Sequence, residues 1–579
     1  MTGFATTLAT IWRLAIPYFR SEDRWPGRIL LASVIAIELS VVGITVLINQ
    51  WNARFYNALQ DRAWDAFVHE LTIFGGLAAA FIVLRVYQLY LNQWLQIRWR
   101  RWMTEQYVGN WLGEANHYRM QMLGDAADNP DQRIAEDVKQ FIELGLFLGV
   151  GLLGSIVSLA SFVVILWGLS SDAPLTIGGQ IWAIPGYLVW AALLYAAAGT
   201  LLAHFVGRPL IALNFNQQRY EADFRFNLVR VRENSEQIAL LHGETAERGR
   251  LMDRFLAVYQ NWLLIMTRQK KLTFLTSGYS QISVIFPFIV VSPAYFAGHL
   301  QLGALMQTAS AFNSVQSALS FFVDSYVRMT EWRAVIARLA GFETAIGAAH
   351  AVTSRTPSIA TLPSADKDLR LDGLDVTLPD GKSIVAADGI TIAPHDQVLV
   401  TGPSGSGKST LLRAIAGIWP FGKGKVSVPA GANVMTLPQR PYLPIGSLAA
   451  AISYPAEPGT FDHRKIREAL TAVGLPALAE RLEETAHWTR MLSLGEQQRL
   501  GIARALLHAP DTLLLDEATA SLDEPAEAAL YKLLHERLPN ATIVSIGHRS
   551  TLAAFHKRRL TLVRDGERYR VTAAALNTA

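Results

Sequence analysis

Six apolar stretches, each near the length a bilayer demands, dominate the first part of the chain. They run at about 29–49, 71–91, 145–168, 181–205, 273–298 and 302–330, the last more polar than the others but without a break. The intervals between them are unequal. Segments 92–144 and 206–272 are long and basic, carrying among others Arg98, Arg100, Arg101 and Arg133 in the first and Arg208, Arg230, Arg268 and Lys270 in the second. Segments 170–180 and 299–301 contain no Lys or Arg. The basic segments are therefore expected to face the cytoplasm, which for six spans puts both termini there too. Val206–Met266 has no strand alternation and a single interior proline, Pro209, so both segments read as helical extensions of their spans. Met1–Arg28 is not expected to be a cleaved signal peptide, because Arg13, Arg20, Arg24 and Arg28 interrupt it. Its Ile11, Trp12, Leu14, Ala15, Tyr18 and Phe19 suit either a helix lying in the membrane interface or an ordinary amphipathic surface helix.

From about Thr344 to Asp368 the composition shifts to Ala, Thr, Ser and Pro, as in a linker. Beyond it, short apolar runs at 398–400, 512–515 and 542–546 alternate with helical patterns, as in an α/β domain. The predicted organisation is an α-helical six-span transmembrane domain at 1–342, a linker at 343–368 and an α/β domain at 369–579. Composition agrees with a membrane part: 51% of the 579 residues are hydrophobic and only 17% charged, and the mean hydropathy is +0.22. The absence of cysteine excludes disulfides, thiolate metal sites and cysteine nucleophiles. A net charge of +4 argues neither for nor against nucleic acid by itself; none is expected as a partner.

Gly402–Thr410 reads Gly-Pro-Ser-Gly-Ser-Gly-Lys-Ser-Thr, entered from Val398-Leu399-Val400 and leaving into Leu411-Leu412-Arg413-Ala414. Strand, glycine loop and helix are the context that a phosphate-binding loop requires. Gly402, Ser404, Gly405, Gly407, Lys408, Ser409 and Thr410 are the candidate nucleotide contacts. Backbone N–H groups would close around phosphate oxygens, Lys408 would reach the outer phosphates and the Ser409 hydroxyl would ligate Mg²⁺. Thr512–Glu517 is an apolar strand ending in two acids. Asp516 can hold Mg²⁺ through water, and Glu517 can orient or deprotonate the attacking water. Leu492–Arg499 precedes that strand; its Ser493 and Gly495 suit an anion at a helix start, or Ser493 is an ordinary N-cap with Glu496 in the first turn.

The order of these motifs resembles the ATP-binding cassette superfamily: the phosphate loop, Gln439 after an apolar strand, the Leu492–Gln498 signature, Asp516-Glu517, Ser521-Leu522-Asp523 and His548. The resemblance implies that 369–579 is an α/β P-loop ATPase domain, the ATP-binding cassette, with ATP and Mg²⁺ as cofactors. It implies that Gln439 links the metal site to the transport domain as a catalytic and metal-side residue, and that His548 contacts the terminal phosphate. It also implies that Asp523 lies at a dimer seam and that Ser493 and Gly495 complete the site of the opposite subunit. With one cassette per chain, a homodimer sandwiching two ATPs follows from it. Two departures stand out: Leu494 replaces the usual glycine of the signature, and Asp375–Leu378 before Pro379 lacks the usual adenine-stacking tyrosine.

Trp51–Gln60, Asn129–Val138, Gln218–Glu233, Gly417–Pro420 and Leu437–Leu448 look more narrowly like the SbmA/BacA-type permeases with a fused cassette, relatives of the peroxisomal fatty-acyl transporters. That resemblance implies ATP-driven transport across the bacterial inner membrane of a peptide, a peptide-like antibiotic or a corrinoid. The alternatives are a fatty-acyl or lipid-like solute, or an ATP-regulated membrane protein that transports nothing; direction stays open. Asn129–Val138 and Ser235–Arg248 are placed where a transport domain would dock on a cassette, although a charged helix is also simply a solvated face. In the last span, Ser310, Asn313, Ser317, Ser320 and Asp324 recur at helical steps on one face, with Phe312, Val315, Leu319, Phe322 and Tyr326 on another. Such a polar stripe lines a solute cavity or bonds to a neighbouring helix.

Overall fold

A computed structural model of the chain describes residues 4–124, 129–172, 175–177, 180–182, 184–352 and 357–575. It divides into two compact units, one of Met1–Val108 with Asn129–Phe342 and the other of Gly109–Asp128 with Glu343–Ala579.

In the first unit, Arg24–Gln60, Trp64–Leu112, Val138–Asp172, Tyr187–Glu233, Glu244–Phe296 and Leu302–Asp324 are helical. Six helices among the described residues are long and apolar enough to cross a membrane. Two boundaries differ from the hydropathy reading. The fourth helix begins only at Tyr187, because Leu175–Ile177 and Gln180–Trp182 pair as an antiparallel hairpin and Gly186 takes a left-handed φ of 66°. Pro185 just before it disfavours a helical start further back. The sixth is broken at the single turn residue Ser325, after which Tyr326–Val352 resumes. That last helix covers the first residues of the Ala-rich segment, since alanine is the strongest helix former. Residues 353–356 of the same segment lie outside the described residues.

Small and polar residues hold the spans together, as expected where lipid supplies no hydrophobic drive between helices. Asn49 donates to the Gln307 carbonyl at 3.0 Å and accepts from the Gln307 side chain at 3.2 Å. Asn57 Oδ1 accepts from the Gly303 N–H at 2.8 Å, and a Cβ at Gly303 would run into the Ala53 carbonyl. On the inner side, Phe162, Leu166, Leu188, Phe312 and Val315 form a buried cluster. Segment 206–272 consists of two long helical extensions with the short helix Ser235–Leu240 between them. At that tip Leu240 and Leu241 are 73% and 82% exposed.

The charged segment Asn129–Val138 is only partly a solvated face: Asp131 and Glu136 are exposed. Arg133 and Asp137 are buried, Arg133 pairs with Asp137 at 2.8 Å, and Asp137 also accepts two hydrogen bonds from Arg338 at 2.9 and 2.6 Å. All three residues belong to the membrane unit, whereas the segment that joins the other unit is Gly109–Asp128. There the chain turns through Glu114 and Ala115, both at left-handed φ, into the short helix Asn116–Met122. Met122 packs on the buried cluster of the second unit around Leu371, Val376 and Val426.

The second unit is built on an eleven-stranded sheet. Its parallel centre runs Val434–Leu437, Thr512–Asp516, Thr542–Ile546, Gln397–Thr401, Arg558–Asp565. Thr512–Asp516 and Thr542–Ile546 at its middle are almost wholly buried apolar runs, as strands covered on both faces are. Leu369–Thr377 pairs antiparallel with Ser383–Ala387 and Gly422–Pro429 and forms the outer layer.

Behind the centre, His556 is 1% exposed, with Nδ1 at 2.7 Å from the Leu552 carbonyl and Nε2 at 2.9 Å from Ser545 Oγ. Burial pushes its imidazole down from 6.5 to about 4. The unfolded chain therefore binds a proton between those values that the folded chain does not, and stability falls as pH drops through that window. The expected slope is about 1.4 kcal/mol per pH unit from this group. Thermal melts of the full chain at pH 7, 6 and 5 should show it, and His556→Gln should flatten it; an unchanged slope in that variant would assign the effect to other groups.

Candidate functional site

The strand Gln397–Thr401 delivers the chain into the glycine loop, and the helix Lys408–Ile415 leaves it. Gly405 and Gly407 hold left-handed φ values of 75° and 91° and Gly402 one of 156°. A Cβ at Gly407 would stand 2.6 Å from Val385, whereas nothing lies within 4 Å of one at Gly405. The loop is thus closed on its sheet side and open on the other. Lys408, buried at the helix start, donates to the Gly402 and Pro403 carbonyls at 3.0 and 2.9 Å. Burial holds its ammonium below the ordinary range, while Glu517 and Asp516 pull it the other way. Ser404 is exposed, Thr410 half-buried in the helix. Ser406 Oγ is buried with no hydrogen-bond partner among the described residues, a polar group the loop would offer to a ligand.

The parallel pairing of the central strands brings the acids to the loop. Ser409 Oγ donates to Asp516 Oδ1 at 2.8 Å, and burial raises the Asp516 carboxyl, with the Ser409 hydrogen bond opposing. Glu517 follows at a left-handed φ of 51°. That conformation turns its carboxylate between Gln439 Nε2 at 3.3 Å and His548 Nε2 at 3.0 Å. Lys408, Ser409, Gln439, Asp516, Glu517 and His548 therefore form one cluster. Hard oxygen donors at Ser409 and Asp516 fit Mg²⁺, and the open loop beside them fits a triphosphate.

Ser493, Gly495 and Asp523 stand apart from it by their bonding. Ser493 caps the helix Leu494–His508 in a capping box, its Oγ accepting from the Glu496 N–H at 3.3 Å and its own N–H donating to Glu496 at 2.9 Å. Asp523 caps Glu524–Arg537, accepting from the Ala526 N–H at 3.0 Å. The ordinary N-cap reading is thus what a single chain displays at both places. Gly495 packs toward Leu522, 3.2 Å from where its Cβ would be.

Sequence reasoning missed Gln498. Buried at 1% exposure, it donates to the Gln439 carbonyl at 3.0 Å and accepts from the Ser521 N–H at 3.0 Å. One amide thereby fixes the signature helix, the Gln439 loop and the Ser521–Asp523 turn to one another. Its place in the signature run was the available signal.

In the membrane unit a cavity of about 1120 Å³ opens among the spans. Ser310, Asn313, Ser317 and Asp324 line it, with Ser314, Ser155 and Ser158; Ser320 is not among the lining residues. Ser283 donates to Asn313 Oδ1 at 3.3 Å. Part of the stripe is thus interhelical bonding and part is cavity wall. On the opposite face Phe312 and Val315 are buried, and the side chain of Phe322 lies outside the described residues. Glu38, Arg85 and Arg328 add charge to the wall. Arg85 reaches Glu38 at 3.4 Å and Gln88 at 2.8 Å.

Spanning helices joined to a P-loop nucleotide site define an ATP-dependent membrane transporter. Residues 13–296 match the family "ABC transporter transmembrane region 2" and residues 388–520 the family "ABC transporter". An ABC transporter ATP-binding protein of Haemophilus influenzae is 36% identical over 96% of this chain and 92% of its own. The Escherichia coli inner membrane ABC transporter ATP-binding protein YddA is 34% identical over 92% and 93%. The mouse lysosomal cobalamin transporter ABCD4 is 25% identical over 95% and 93%. A bacterial Atm1-family ABC exporter solved with ATP bound shares the fold, with a TM-score of 0.67 over 94% of each chain at 17% identity. The chain belongs to the ABC transporter family. It is a half-transporter related to the D subfamily, a multi-pass membrane protein with a cytoplasmic ATPase domain that binds ATP and powers transport.

Proposed function

We propose that two copies of the chain form an ATP-driven transporter of the SbmA/BacA type in the bacterial inner membrane, moving a polar solute. The observation that carries the solute class is the cavity wall of serines and Asn313, with Glu38, Asp324, Arg85 and Arg328. Val41, Phe147, Phe288, Met306 and Phe321 share the wall, so it suits an amphipathic solute, whose amides the polar groups solvate, better than a purely apolar acyl chain. Similarity to a cobalamin transporter favours a corrinoid among polar candidates.

Hydrolysis is assigned residue by residue. The N–H groups of Gly402–Thr410 and the Lys408 ammonium would hold the phosphates; Ser409, Asp516 and Gln439 would hold Mg²⁺, which would neutralise phosphate charge when bound. Glu517 takes the proton of the attacking water, and His548, bonded to Glu517, faces the terminal phosphate. The Ser493 hydroxyl and Gly495 N–H from a second copy complete the site, with Asp523 at the seam. In support, Ser493 and Gly495 sit at the start of a 15-residue helix, where N–H groups favour anions. The exposed Leu240 and Leu241 offer an apolar tip for docking a second copy.

Reconstituted vesicles given labelled cobalamin or a labelled peptide test the solute reading. Asn313→Leu with Ser317→Leu should cut flux by about tenfold, the order expected when buried polar partners are lost. Undiminished flux in that double variant would remove the cavity from the path.

A further inference from the structure

A second, smaller cavity lies under the N-terminal helix Phe4–Ala15, with a volume of about 280 Å³. Its wall is apolar: Ile11, Ala15 and Phe19 roof it, and Leu31, Trp99 and Gly149 are among its other sides. Gly149 leaves it open, since nothing lies within 4 Å of a Cβ built there. The lining Trp99 is 6% exposed, and its Nε1–H has no hydrogen-bond partner among the described residues. Beside the roof, Arg28 donates to the Phe19 carbonyl at 3.0 Å, and the exposed Arg20 and Arg24 flank the same turn. Trp12 and Trp25 are 67% and 62% exposed, as aromatic side chains are at a membrane interface. The ATPase unit is cytoplasmic and six spans return the chain to that side, so this turn sits at the cytoplasmic leaflet.

An apolar slot and three arginines on the turn beside it, where Asp23 is already paired with Arg98, are the complement of one ligand: an acyl chain and an anionic head. We propose that the slot holds an acyl chain of an anionic glycerophospholipid of the cytoplasmic leaflet, with its phosphate among Arg20, Arg24 and Arg28. The head group is selected by charge and the chain by burial. The site is separate from the polar solute cavity, with which it shares no lining residue.

The full-length protein in nanodiscs of equal phosphatidylcholine and phosphatidylglycerol, released into native mass spectrometry, tests this. Wild type should retain a single lipid per chain, phosphatidylglycerol over phosphatidylcholine by about fivefold or more, the order that one arginine near a phosphate contributes. Arg20→Gln combined with Arg24→Gln and Arg28→Gln should keep the lipid and lose the preference. Gly149→Leu, which fills the slot, should lose the retained lipid while still binding ATP. Retention of both lipids in bulk ratio by wild type, or an unchanged preference in the arginine variant, would overturn the proposal. So would unchanged retention in a Gly149→Leu protein that still binds ATP. If Gly149→Leu does not fold, the arginine variant decides alone.

Discussion

Replacing Glu517 with glutamine should stop ATP hydrolysis while leaving the nucleotide bound. Glu517 sits at a left-handed φ of 51°, a conformation a non-glycine residue adopts only when its surroundings hold it there. Two partners grip the carboxylate, Gln439 at 3.3 Å and His548 at 3.0 Å. Glutamine has the same shape and can still bond to either, but it cannot accept a proton. A positioned general base contributes about 10²–10⁴-fold, so phosphate release should fall by that much. Nucleotide affinity, which we propose rests on the glycine loop and Lys408, should hold. A fall of less than about tenfold would move the proton to another group.

Gly407→Val should be the most damaging change in the loop, and Gly405→Val a milder one. Both glycines hold left-handed φ, 91° and 75°, which for a β-branched residue costs about 1–3 kcal/mol. Only Gly407 is crowded as well, because its Cβ would stand 2.6 Å from Val385, a fully buried strand residue. Relieving that clash pushes the loop out of the shape in which its N–H groups converge. Nucleotide binding should therefore fall below detection in Gly407→Val, and by roughly thirtyfold in Gly405→Val if strain of about 2 kcal/mol acts alone. Equal losses in the two variants would mean that backbone strain, not the Val385 contact, shapes the loop.

Hydropathy made the six spans legible because a helix in lipid must be apolar over its whole crossing. It could not place their ends: Ile181, Trp182 and Ile184 are apolar enough to extend the fourth span, yet the hairpin and Pro185-Gly186 keep them out. That Ser409, Gln439, Asp516, Glu517 and His548 would come together was legible because each lies in a local motif. Gln498 escaped because its function is to join three segments distant in sequence, which spacing within one of them does not reveal. The burial of Asp137 within a charged run escaped for a similar reason, since its partner Arg338 is 201 residues away. In the cavity, helical periodicity identified Ser310, Asn313, Ser317 and Asp324 on one helix, but Glu38 and Arg85 come from other helices. Ser320 shares the periodicity without reaching the wall, because a helical face is wider than the strip that borders a cavity.

The central claim is that ATP hydrolysis at this cluster moves a polar solute through the spans. Its most direct test is flux in sealed vesicles of both orientations, with labelled cobalamin and labelled peptide, comparing wild type with Glu517→Gln. Wild type should move one of the two solutes only when ATP reaches the ATPase domain, and Glu517→Gln should not sustain that movement. Flux that persists unchanged in Glu517→Gln, or ATP turnover in wild type that moves neither solute, would contradict it.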